Sequence, residues 1–142
     1  MPARFRLTEP IAPETALHEA VAKALDHLLL PPAVWTTFPA GSVPLPPQFA
    51  VKLYRMGLKR GIPDILVWHR TAYGIELKKR GETLSISRTI RNRRGQLRHI
   101  EGQREMFIKL MDAGMQIAIC YSVTEVLHAL ADWQVPLRPH AL

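Results

Sequence analysis

The chain has 142 residues, 47% hydrophobic and 22% charged, the balance of a folded domain rather than a disordered tail, with length for one core and not two. No apolar run approaches the ~18 residues that cross a membrane. The start at Met1 lacks a secretory apolar stretch, and one cysteine excludes a disulfide framework or a multi-cysteine zinc site. The expectation is a cytoplasmic chain forming one domain over 1–142, and its net charge of +7 points to a polyanionic partner, most simply nucleic acid.

Residues 14 to 30 carry Leu17, Val21, Ala24, Leu25 and Leu28 at helical spacing, with Pro13 at the start and Pro31-Pro32 as the stop. Val34 to Phe38 is rich in strand formers. Residues 39 to 47 hold four prolines and one glycine and read as a loop. Phe49 to Met56 predicts a short helix ending at Gly57. Ile65 to Trp68 predicts a buried strand, and Tyr73 to Leu77 its hairpin partner. Glu101 to Asp112 predicts a helix stopped by Gly114, and Met115 to Tyr121 a further buried strand. Ser122 is placed to cap a last helix reaching about Ala131. Mixed elements in this order call for an α/β fold, a central sheet with helices packed on it.

The basic residues are unevenly spread: ten of the 19 Lys and Arg fall between Lys78 and Lys109. Within that window Leu84, Ile86 and Ile90 share one parity and Ser85, Ser87 and Thr89 the other, which is strand alternation. Asn92-Arg93-Arg94-Gly95 then supplies turn chemistry. The segment at about 81–100 reads as a projecting basic β-hairpin, or else as a loop that orders on binding.

One constellation carries chemistry. Asp64 opens the strand of Ile65, and Glu76-Leu77-Lys78 follows twelve residues later. Two strands joined by a short turn bring Asp64 and Glu76 side by side, and alternation puts Glu76 and Lys78 on one face. Two carboxylates with a backbone carbonyl such as that of Leu77 make a hard oxygen site suited to Mg²⁺ or Mn²⁺. Such a metal activates water and neutralises phosphate, and Lys78 is placed to orient that water or stabilise charge on phosphorus. No covalent nucleophile is offered, so direct hydrolysis follows. Taken singly, Gly-x-Pro-Asp is an ordinary turn and Glu-x-Lys an exposed ion pair; their order and spacing make them specific.

This pattern resembles the PD-(D/E)XK nuclease superfamily and, within it, the small stand-alone proteins of the VRR-NUC family. The likeness extends to Glu14-x-x-Leu17-His18, to Phe38-Pro39-Ala40-Gly41, and to Leu53-Tyr54-Arg55-Met56-Gly57 leading into Gly61-Ile62-Pro63-Asp64. It continues in Gly102-Gln103 and Ser122-Val123 and covers roughly residues 14 to 132. It implies a restriction-endonuclease-like core, in which a mixed sheet is flanked by helices. It also implies an acidic residue in the first helix. Glu14 is chosen over Glu19 because it falls near the stripe of Val21, Leu25 and Leu28, whereas Glu19 falls nearly opposite and should face solvent. Gln103 corresponds to the family's glutamine, which could orient a water, a phosphate or Lys78, and His18 is a candidate for the same site. Two departures are visible: Ala40 stands where relatives carry asparagine, and the link from Lys78 to Gln103 is longer than usual, so the basic segment is an insertion.

The resulting expectation is a metal-dependent DNA endonuclease. Asp64 and Glu76 hold the metal with Leu77 and Glu14, Lys78 assists water, and Gln103 supports it. Arg55, Lys59, Arg60, Lys79, Arg80, Arg88, Arg91, Arg93, Arg94 and Arg98 are the candidate DNA contacts. The resemblance further implies selectivity for branched DNA such as four-way junctions or flaps, and a homodimer. The non-enzyme rival is a DNA-binding module on an inactive nuclease fold; the intact Asp64, Glu76 and Lys78 argue against it.

Overall fold

The computed structural model describes residues 13–38 and 45–142, with side chains in the first helix from Thr15 onward. The side chain of Glu14, and residues Pro39, Ala40 and Gly41 of the family-like stretch, lie outside the described residues. In chain order the elements are α1 (Pro13–Leu28), β1 (Val34–Thr37), α2 (Pro47–Arg55), β2 (Ile65–His69), β3 (Thr71–Leu77), β4 (Arg88–Arg91), β5 (Leu97–Ile100), α3 (Gln103–Asp112), β6 (Gln116–Cys120) and α4 (Val123–Asp132).

Four strands form a mixed sheet in the order β1-β2-β3-β6, and β4 and β5 form a separate two-stranded ribbon. β1 to β3 run antiparallel, and β3 to β6 are parallel. A parallel pair cannot be joined by a tight turn. Residues 78–115, carrying the ribbon and α3, are therefore the crossover. The expectation of a central mixed sheet with helices holds at this level.

Alternation on β2 and β3 sorts the faces. Ile65, Val67, Tyr73, Ile75 and Leu77 are buried in one core with Val21 and Leu25 of α1 and Val126 and Leu130 of α4. Gly74 and Glu76 turn to the other face. A Cβ at Gly74 would lie 2.7 Å from Pro63 Cγ and 3.1 Å from Met115 Sδ, so that face is closely covered at Gly74. Ser122 caps α4 as expected, its Oγ accepting from the Glu125 N–H at 3.2 Å, while the Glu125 carboxylate accepts from the Tyr121 N–H at 2.7 Å.

Three expectations are corrected. The strand at Met115 to Tyr121 is not buried throughout: β6 is an edge strand, and Ile119 is 40% exposed although Cys120 is buried. On β2, Trp68 is likewise exposed, because only alternate residues meet the core. The ribbon ladder starts at Arg88, not Thr83. The Ser85 carbonyl accepts from the Arg104 N–H at 3.0 Å, so this stretch serves the start of α3 instead of a ladder. For the same reason α3 begins at Gln103 rather than Glu101.

Candidate active site

Asp64 sits at the mouth of β2 and Glu76 next to the end of β3. The Glu76 Oε2 accepts from the Asp64 N–H at 3.3 Å, and the Asp64 Oδ2 accepts from the Leu77 N–H at 2.8 Å. Each carboxylate is thus tied to the other's strand, which the register pairing Ile65 with Ile75 makes possible. The Leu77 peptide lies beside both.

Lys78 leaves β3 on the Glu76 side, its Nζ 3.2 Å from Glu76 Oε1. Gln103, the first residue of α3, closes the group. Its Nε2 donates to Glu76 Oε1 at 2.6 Å, and its Oε1 accepts from Lys78 Nζ at 3.0 Å. The Ser85 N–H also donates to Gln103 Oε1, at 3.2 Å. Two donors on the oxygen and a carboxylate on the nitrogen fix which way the amide points.

Glu76 is 2% exposed. Burial, and then the charge of Asp64, push its carboxyl from 4.5 up to about 7, against the pull of Lys78 and Gln103. A buried carboxylate whose ionisation is opposed by a neighbouring carboxylate forms a place where a cation is favoured.

The group lies in a cavity of about 770 Å³, whose lining also includes Lys59, Arg60 and Arg88. Arg60 stacks over the Tyr54 ring, 5.0 Å from its centroid. All ten candidate DNA-contacting side chains are exposed, but only Lys59, Arg60 and Arg88 line the cavity. Arg55 ends α2, Arg80 lies over Tyr121, and Arg93 and Arg94 occupy the ribbon turn. Lys79 follows Lys78 outside the lining.

Helix α1 contributes differently from expectation. Thr15, His18 and Glu19 all border the cavity. Glu19 is exposed, as expected, yet it faces this space rather than open solvent alone. The helical projection located the core but not the cavity beside it. His18 Nε2 lies 2.8 Å from Thr37 Oγ1, and that hydroxyl donates to the Asp64 carbonyl at 3.1 Å. A hydroxyl has one hydrogen, so His18 donates through Nε2 in this arrangement. Thr37 thereby braces the backbone of Asp64.

Among the described residues, no group of three or more His, Cys, Asp or Glu side chains is arranged to hold a metal. The donor set present is the Asp64 and Glu76 pair with the adjoining backbone. Mg²⁺ commonly takes one or two carboxylates and completes its shell with waters and phosphate oxygens, so this set fits.

Sequence reasoning missed Thr37 and Ser85. Thr37 carries no local signal, since it reads as an ordinary strand residue. Ser85 had a weak one, a small polar residue on the alternating segment that returns towards Gln103. Comparisons with protein-family models, with curated proteins and with solved structures find no match for this chain.

Proposed function

We propose that this chain is a metal-dependent DNA endonuclease on a restriction-endonuclease-like core, of the kind its motifs resemble in the VRR-NUC family. The observation that carries the reading is the convergence of Asp64, Glu76, Lys78 and Gln103 within hydrogen-bonding distance in one basic-rimmed cavity. A bare DNA-binding surface has no need of a buried carboxylate beside a lysine.

In this reading Asp64 and Glu76, with the Leu77 carbonyl and Glu14, hold Mg²⁺ or Mn²⁺. When bound, the metal lowers the pKa of a water and neutralises phosphate charge. Lys78 places its ammonium where negative charge grows on the phosphoryl oxygens. Gln103 holds that ammonium and Glu76 in a fixed relation. Arg55, Lys59 and Arg60 contact the phosphate backbone beside the site and add affinity without sequence information, while Lys79, Arg80, Arg88, Arg91, Arg93, Arg94 and Arg98 are the further basic contacts to DNA. The proposed substrate is branched DNA, four-way junctions or flaps, cut by a homodimer in the cytoplasm. No helix among the described residues is long and apolar enough to cross a membrane.

The test is cleavage of a labelled panel of single strand, duplex, flap, fork and four-way junction, in Mg²⁺, Mn²⁺ or EDTA. Metal-dependent cutting abolished by Asp64→Ala and by Lys78→Ala supports the enzyme. Tight binding with no cutting of any substrate supports the inactive DNA-binding module.

A further inference from the structure

Residues 83–100 contain five arginines and no Asp or Glu. Among the described residues, none of the five takes part in an ion pair. A run of positive charge without carboxylate partners is usually loose, but this one is built. The Asn92 Oδ1 accepts from the Arg94 N–H at 3.0 Å and the Gln96 N–H at 2.9 Å, which closes the turn. At the root, a Cβ on Gly102 would lie 2.4 Å from the Ile86 carbonyl carbon, so the two ends meet backbone to backbone.

The ladder pairs Arg88 with Ile100 and Ile90 with Arg98. Alternation therefore puts Arg88, Ile90, Arg98 and Ile100 on one face, and Thr89, Arg91, Leu97 and His99 on the other. The second face is held to α3, because His99 Nε2 lies 2.9 Å from Glu105 Oε2. The first face is turned to the cavity, where Arg88 and Ile100 are lining residues. It is a checkerboard of arginine and isoleucine running outward from the candidate active site.

We propose that this face seats in the major groove of double-stranded DNA and selects DNA duplex over RNA duplex. That the groove lies beside the phosphate to be cut rests on the endonuclease reading; the binding itself does not. The occupant follows from shape and charge. Two strands ~4.8 Å apart make a ribbon that fits the B-form major groove, ~12 Å wide. The A-form major groove of RNA is too deep and narrow to admit it. Arginine offers paired donors to guanine edges or phosphates, and isoleucine offers apolar contact to thymine methyl groups.

The experiment measures fluorescence anisotropy of one labelled sequence, prepared as DNA duplex, RNA duplex and DNA single strand. EDTA is present, so cutting does not enter. The wild-type chain is expected to bind the DNA duplex ~10-fold or more tighter than the RNA duplex. Arg98→Ala is expected to weaken DNA-duplex binding ~10-fold and to lower the log–log salt slope by about 1. Arg91→Ala removes the same charge from the other face and is expected to cost less than ~3-fold. Arg98→Lys, which keeps the charge, is expected to restore the salt slope and, because the width of the ribbon is unchanged, to keep the preference for DNA duplex. Equal binding of DNA and RNA duplexes by the wild type overturns the proposal. So do equal losses for Arg98→Ala and Arg91→Ala, or loss of the preference for DNA duplex in Arg98→Lys. A chain that shows the facial binding but never cuts refutes the endonuclease reading alone. One that cuts yet ignores Arg98 refutes this inference alone.

Discussion

Gln103 and Glu76 stand 27 positions apart in the chain, yet the Gln103 amide nitrogen lies 2.6 Å from the Glu76 carboxylate. The same amide accepts from Lys78. One side chain therefore sets the distance between the buried carboxylate and the ammonium.

Gln103→Ala is expected to slow single-turnover cutting about 10- to 100-fold, in the range of lost supporting contacts around metal ligands. Lys78→Ala should cost about 10²- to 10³-fold. A Gln103→Ala protein that cuts at the wild-type rate removes the positioning role.

Glu76 makes stability depend on pH in an unusual direction. Its carboxyl is raised from 4.5 to about 7 in the folded chain. Between those values the folded state keeps a proton that the unfolded state has lost. Stability from this group is therefore full below pH 4.5 and falls as pH rises through 7. In EDTA the wild-type protein should lose up to about 3 kcal/mol relative to Glu76→Gln over that interval. Urea unfolding of both at pH 5 and pH 8 measures the difference; a gap that stays constant with pH contradicts it.

Divalent cation should reverse that loss. A ligand at about 100 times its Kd adds about 2.7 kcal/mol, or roughly 8 °C in Tm for a chain of this size. The Mg²⁺-induced rise should grow from pH 6 to pH 8, as Glu76 gives up its proton, and vanish in Asp64→Ala. Thermal unfolding with and without Mg²⁺ reads it directly.

Gly61 ties the loop carrying Lys59 and Arg60 to α3. It has φ +81°, and an added Cβ would stand 2.9 Å from Met106 Cβ and 3.1 Å from Gln103 Cα. Gly61→Ala should cost about 2–3 kcal/mol through strain and crowding together. Gly57, at φ +107° with open space around it, should cost about 1 kcal/mol when replaced by Ala. Similar urea midpoints for the two variants would show that the contact with α3 is soft.

What the sequence made legible was local. Asp64, Glu76 and Lys78 could be placed because a short turn and strand alternation settle their relation within 15 residues. The helices and a central sheet followed from periodicity and turn residues, and the mixed character of the sheet from the family resemblance. The burial of β6 did not, because an apolar strand reads the same at an edge as at a centre. Gln103 stood out only through a family resemblance, since nothing near it reveals a partner 25 residues away at Lys78. Ser85, Thr37 and Glu19 escaped for a related reason: their places depend on how α1, β1 and the start of α3 meet, which no local spacing encodes.

The meeting of Gly102 with Ile86 has a consequence for how such a chain can change over time. Residues 88–100 contribute nothing to the central core cluster. At their base, Ser85 Oγ already accepts from the Gln103 N–H at 3.0 Å. The arm is thus attached as a handle is, at a neck where Ile86 meets Gly102 and by a brace from His99 to Glu105. A single insertion or deletion there can swap one handle for another, changing what is gripped while the Asp64 and Glu76 pair and its scaffold are inherited intact.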